Sequence, residues 1–196
     1  MVDKYADLWE QVKPYLDTRQ NDVHTRIAYG FAERLLALYP EADEAVILPA
    51  VILHDTGWKM IPEDQQVKAF GPNMKDADLR RVHEVEGVRI AREILTAVEY
   101  DPARRDEILT IIDGHDSRET ALSLNDQLMK DADKLWRFTQ TGIGIDHQRF
   151  GIQLREYATW LGQQIERWMF TPEAVKLAHE TFDESQAVLL GGGKLE

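Results

Sequence analysis

Apolar positions recur along this chain at helical spacing, and no stretch alternates in the way that marks a strand. Tyr5, Leu8, Trp9, Val12, Tyr15 and Leu16 share one face and predict a first amphipathic helix over residues 3–17. Asn21-Asp22 offers a cap for a second helix, from His24 to about Leu38, stopping near Pro40. The next stretch, Glu41 to Asp55, is different. Its core AVILPAVILH is apolar on every side, which predicts a fully buried helix. That helix carries His54-Asp55 to its end, where Gly57 is free to break it.

Residues 58–74, with Pro62, Gly71 and Pro72, read as a loop holding a short helix. A long helix follows from Asp76 to about Tyr100. Val82, Val85, Val88, Ile90, Ala91, Ile94 and Leu95 form its apolar side, with His83 close to the stripe. Asp101-Pro102 is a cap with a first-turn proline for the next helix, which ends at IIDGHD, residues 111–116. Ser123 or Asn125 starts LNDQLMKDADKLWRF, and TGIGID reads as a bend. One helix covers residues 146–169, and a last one runs from Thr171-Pro172 to about Leu190. The pattern describes one all-α domain over residues 1–190, a bundle of about seven or eight helices. Residues 191–196 read as a flexible tail, its last two residues matching an expression-cloning remnant.

The 196 residues are enough to bury a core without disulfides, and there is no cysteine. Thiolate metal sites, iron–sulfur clusters and cysteine nucleophiles are thereby excluded, and a reducing cytoplasm is the expected setting. No secretory leader and no membrane span is legible. The net charge of -12 argues against nonspecific nucleic-acid binding. A small phosphorylated substrate stays compatible, since a metal and a few local cations outweigh a global charge.

A carboxylate at the end of a buried helix is costly unless something pairs with it, and a metal ion is a common remedy. Candidate ligands arrive on separate helices in the order His24, His54-Asp55, His83, His115-Asp116 and Asp133. Each alone reads as an ordinary hydrogen-bonded core residue. Together they place charge repeatedly at the edge of apolar stretches. Asp133 lies on the stripe of Leu128, Met129, Ala132, Leu135 and Trp136, whereas Asp131, two residues away, faces elsewhere. His147 and His179 read as partly exposed, and Trp160 and Trp168 as core or a dimer face.

His24, then His54-Asp55, then Asp133 within Ala132-Asp133-Lys134-Leu135, resembles the HD-domain superfamily of metal-dependent phosphohydrolases over residues 20–140. The resemblance implies an all-helical fold in which His24, His54, Asp55 and Asp133 hold a divalent metal. Mn, Fe, Co, Ni, Mg and Zn all suit such ligands. It also implies that His83 and His115 hold a second ion, with Asp55 bridging, or contact the substrate phosphate. The expected reaction is hydrolysis of a phosphomonoester or phosphodiester of a nucleotide or other small metabolite by a metal-activated water, which Asp55 helps to orient. Lys59 and Arg137 are candidate phosphate contacts. Trp58 stands where some binuclear members carry lysine, which weighs against a cyclic-dinucleotide phosphodiesterase role. A di-iron oxygenase and a non-catalytic nucleotide sensor are the alternatives on the same fold. A homo-oligomer is left open.

Overall fold

The stretch that is apolar on every side sits at the centre of a purely helical structure. The computed structural model describes residues 4–72, 74–189 and 191. Its α-helices are α1 (Ala6–Leu16), α2 (Asn21–Leu38), α3 (Glu44–Leu53), α4 (Glu63–Gln66), α5 (Asp78–Ala97), α6 (Pro102–Ile112), α7 (Leu124–Leu135), α8 (Gln140–Phe150), α9 (Leu154–Gly162), α10 (Ile165–Trp168) and α11 (Pro172–Leu189). Short 3-10 turns cover Thr56–Met60, Val67–Ala69 and Trp136–Phe138. The fold is all-α as expected, with eleven α-helices among the described residues rather than seven or eight. The tail expected from 191 onward lies outside the described residues apart from Gly191. Among the described residues no helix is long and apolar enough to cross a membrane.

α3 begins at Asp43, whose carboxylate accepts from the Ala45 N–H at 2.8 Å. Every residue from Val46 to Leu53 is buried, and the helix packs against α2, α6 and α7. Pro49 has no N–H to offer the Ala45 carbonyl one turn back. The Tyr100 hydroxyl donates to that carbonyl instead, at 2.6 Å. The proline is therefore tolerated in mid-helix because a side chain beyond the end of α5 supplies the missing donor.

The chain reverses after α3 for a reason other than the one expected of Gly57. Its φ is not positive; what excludes a side chain is the backbone of α5. A Cβ at Gly57 would lie 1.9 Å from the His83 carbonyl oxygen and 2.5 Å from the Gly87 nitrogen. Gly87 in turn would place a Cβ 3.1 Å from the His54 carbonyl. Two glycines thus let α5 cross the 3-10 turn at backbone distance, and that crossing brings His83 beside His54-Asp55. It also decides which face of α5 turns inward. Val82 and Val85, expected on the apolar side, are exposed, while His83, Glu84 and Gly87 are buried.

The second half departs from expectation in two places. TGIGID is the start of α8, not a bend: Thr139 caps it, its hydroxyl accepting from the Gly142 N–H at 3.0 Å. Gly142 is there for packing, since a Cβ would sit 2.2 Å from the Trp136 carbonyl oxygen. The single helix expected over 146–169 is broken into pieces, beginning at Gly151, whose φ of +64° ends α8 in the left-handed region.

The crossing predicts opposite outcomes for two glycine substitutions. Gly57→Ala forces α5 away from the turn and should cost about 1–3 kcal/mol, a melting temperature lower by about 2–12 °C. Gly30→Ala, inside α2 with nothing within 4 Å of its Cβ, should leave the melting temperature unchanged or raise it by a few degrees. Equal shifts in thermal denaturation would discard the packing account.

Candidate metal centre

Six ionisable side chains from five segments meet at one end of α3. His24 comes from the first turn of α2, His54 and Asp55 from the end of α3, and His83 from α5. His115 comes from the turn after α6, and Asp133 from the last turn of α7. All six are buried, none more than 4% exposed. His24 bridges two carboxylates, Nδ1 lying 3.2 Å from Asp55 Oδ2 and Nε2 3.0 Å from Asp133 Oδ1. His54 Nε2 is 3.6 Å from Asp55 Oδ1 and 3.4 Å from Asp133 Oδ1. Asp55 Oδ1 also lies 3.6 Å from His115 Nε2 and 3.8 Å from His83 Nε2. Asp131 faces away, accepting from the Phe170 and Thr171 N–H groups at 2.7 and 3.0 Å and so tying the start of α11 to α7.

The imidazoles are oriented by the backbone. His54 Nδ1–H donates to the Val51 carbonyl at 2.8 Å, and His115 Nδ1–H to the Ile112 carbonyl at 2.9 Å. Each bond turns Nε2 toward the cluster, the arrangement that presents a nitrogen lone pair to a metal. His54 Nε2 is buried with no hydrogen-bond partner, although two carboxylate oxygens face it. Lone pairs facing carboxylates repel in the absence of a proton or cation between them. A donor set of buried imidazoles and carboxylates with such an orphan nitrogen fits a divalent metal.

Three groups have ligand atoms close enough to share an ion: His24, His54 and Asp133; His54, Asp55 and His115; and His83, His115 and Asp116. Asp116 extends the six-residue set. Its Oδ2 is 3.6 Å from His83 Nε2, and its Oδ1 receives the Lys134 ammonium at 2.5 Å. Lys134 also pairs with Asp133 Oδ2 at 2.6 Å. The turn carrying Asp116 is held by Glu84, a fully buried carboxylate that accepts from the Asp116 and Ser117 N–H groups at 3.0 and 2.8 Å. Neither Glu84 nor Lys134 was singled out from sequence, though each adjoins a residue that was.

Burial would raise the pKa values of Asp55 and Asp133, but their partners outweigh it. His54, His115 and His24 hold Asp55 well below the usual carboxylate range; Lys134, His24 and His54 do the same for Asp133. Burial also opposes charge on His115, yet Asp55 and Asp116 push its pKa up to about 9. His83 goes the other way, down to about 4, through burial and the neighbouring His115. Its ring is therefore neutral at physiological pH.

Two tryptophans wall the cluster. Trp136 stacks on His24 with centroids 4.6 Å apart. Trp58 stacks on His83 at 4.0 Å, and its indole N–H donates to Asp55 Oδ1 at 2.9 Å. By taking the inward place Trp58 turns Lys59 outward. Lys59, expected at a phosphate, pairs with Asp17 at 2.6 Å on the surface and is not among the residues that line the cavity beside the cluster.

That cavity, of about 840 Å³, reaches the cluster at His115 and Asp116. Six basic residues line it, Arg80, Arg118, Lys130, Lys134, Arg137 and Arg167, against the acidic Asp116 and Glu119. Arg137, expected at a phosphate, is among them, its guanidinium paired with Asp146 at 2.5 Å. Trp160 and Trp168, expected as core or a dimer face, are half-buried on the cavity wall with Phe170. His147 and His179 lie outside the cluster, the latter exposed and 3.0 Å from Glu166.

Among known proteins, residues 22–137 match the family model described as HD domain, a span containing all six clustered residues. No curated protein and no solved structure matches the chain.

Metal should stabilise the fold through this cluster. Saturation at 100 times the dissociation constant is worth about 2.7 kcal/mol, a rise in melting temperature of about 5–11 °C. His54→Ala should abolish that rise in differential scanning with manganese; a full rise in the variant would place the ion elsewhere. A raised pKa means that His115 is protonated in the metal-free protein at neutral pH, and a ligand must lose its proton to bind. Apparent affinity should accordingly climb from pH 7 to about 9 and level off above, with protons released in calorimetry below the plateau.

Proposed function

The chain belongs to the HD-domain superfamily of metal-dependent phosphohydrolases, and from that premise we propose that it hydrolyses a phosphoester of a small metabolite, a nucleotide being the best fit. The observation that carries this reading is the charge of the cavity: a chain of net charge -12 lines its cluster-facing cavity with six basic residues and two acidic ones. Such a concentration of cations suits an anion and little else. Trp160, Trp168 and Phe170 on the same wall offer faces for a base or other planar group.

In this reading His24, His54, Asp55 and Asp133 would hold one divalent ion, and His83, His115 and Asp116, with Asp55 shared, would hold a second. Asp55 suits the shared role because its Oδ1 lies 3.6 Å from both His54 and His115. When bound, the ions supply Lewis acidity and lower the pKa of water toward neutrality. The chain supplies the rest. Lys134 sits where the cavity meets the cluster, with two of its three donors on Asp116 and Asp133 and one left for a phosphoryl oxygen. Arg137, fixed by Asp146, orients the ester from the cavity side. Trp58 and Trp136 keep bulk water from the imidazoles they cover.

The test is a panel of phosphomonoesters, phosphodiesters and nucleotides with manganese-loaded protein. Asp55→Ala and Asp133→Ala should each lose at least about 100-fold in kcat/KM, more than the loss typical of a supporting residue. His83→Ala should lose one of two equivalents of metal by elemental analysis while keeping the fold. Full metal content and activity in both aspartate variants would sink the proposal.

A further inference from the structure

The connection between α1 and α2 contains two successive non-glycine residues in the left-handed region, Arg19 at φ 55° and Gln20 at φ 58°. Such backbone persists only where its surroundings hold it, and it is common where a side chain must be presented at a site. Here the side chain presented is a guanidinium. Arg19 lies over the Trp58 ring at 4.0 Å and over the Phe70 ring at 4.1 Å. Stacking covers the flat face of the group and leaves its in-plane donors. Two of these, on Nε and Nη1, are buried without any hydrogen-bond partner.

Arg19 has company. Arg137 and Arg149 approach the same Phe70 ring at 5.4 and 5.8 Å. Arg149 also donates from Nη2 to the Arg19 carbonyl, tying the strained residue to α8. A fully buried Asp146 takes Arg137 at 2.5 Å and Arg149 at 2.8 Å, and the Tyr157 hydroxyl donates to it at 3.1 Å. Three guanidiniums thus gather around one aromatic ring, with one carboxylate in contact with two of them and none bonded to Arg19. Burial pushes the Arg19 pKa down to about 9; Asp55 opposes the shift, and Arg149 and Arg137 add to it. A half-buried guanidinium with two buried, unused donors and like-charged neighbours lacks an anion.

The Trp58 ring that Arg19 covers also stacks on His83 and donates to Asp55. One indole therefore separates the guanidinium from the cluster. We propose that Arg19, supported by Arg149 and by the cavity-lining Arg137, is the receptor for a phosphoryl group of the substrate, held across the Trp58 ring from the His/Asp cluster. This deepens the phosphohydrolase reading and rests on it for the identity of the anion, but it is tested by binding rather than turnover.

Inorganic phosphate is titrated calorimetrically into manganese-loaded wild type, Arg19→Met and Arg19→Lys, with metal content measured in each. Arg19→Met should keep its metal, raise the phosphate Kd about 10- to 100-fold, and melt no lower than wild type without phosphate, because two buried donors without partners are gone. Arg19→Lys keeps the charge but not the planar donors and should recover only part of the affinity. Phosphate bound by Arg19→Met as tightly as by wild type overturns the proposal. So does a loss of affinity that only tracks a falling melting temperature in both variants. Should Arg19→Met fail to fold, unchanged affinity in Arg19→Lys overturns it. If phosphate binding depends on Arg19 while no phosphoester is turned over, the receptor stands and the hydrolase reading falls.

Discussion

A carboxylate at the end of a helix buried from Val46 onward is the constraint on which this structure depends. Asp55 follows nine consecutive buried residues, Val46 to His54, and an unpaired charge there would cost several kcal/mol. Beyond the adjacent His54, what offsets that cost comes from other segments of the chain. His24 arrives from α2, His83 from α5, His115 from the turn after α6, and the indole of Trp58 from the next 3-10 turn. The packing of the bundle around α3 is thus partly dictated by electrostatics. Apolar packing alone does not explain why α5 approaches so closely that Gly57 has no room for a Cβ and Gly87 little; the imidazole it delivers does.

The same logic extends outward to the cavity. Its cations are not loose surface charges. Lys134 is seated on Asp116 and Asp133, Arg137 on Asp146, and Lys130 is 3.6 Å from Asp126. Asp126, Asp133 and Asp146 hold these cations without lining the cavity themselves, so an acidic chain presents a concavity in which cations outnumber carboxylates. Side chains seated in this way have lost their rotamer freedom before any ligand arrives, which favours tight and selective binding.

The helical class and the six clustered residues were legible because two signals coincide: helical spacing of apolar positions, and ionisable residues placed at the margins of those stretches. Less was legible wherever a residue's role depends on what crosses it. Gly57 and Gly142 look like breakers in sequence but mark close backbone contacts. Val82 and Val85 look like core, yet the first turns of α5 turn a polar face inward because His83 and Glu84 are needed there. Lys59 follows the HD pair closely in sequence, but a 3-10 turn sends it to the surface and Trp58 inward. Arg19, Asp146 and Arg149 come from the α1–α2 connection and from α8 and carry no motif; only the fold brings them to Phe70.

Glu84 has a consequence for motion. Its carboxylate fastens the amides of Asp116 and Ser117 to α5, one residue from His83. The turn after α6 is irregular in backbone but bound to a helix in hydrogen bonding. Its amides should therefore exchange with deuterium in step with the interior of α5 rather than on the faster schedule of a surface turn. Half of the centre would then open and close as one rigid piece, hinged on a single buried carboxylate.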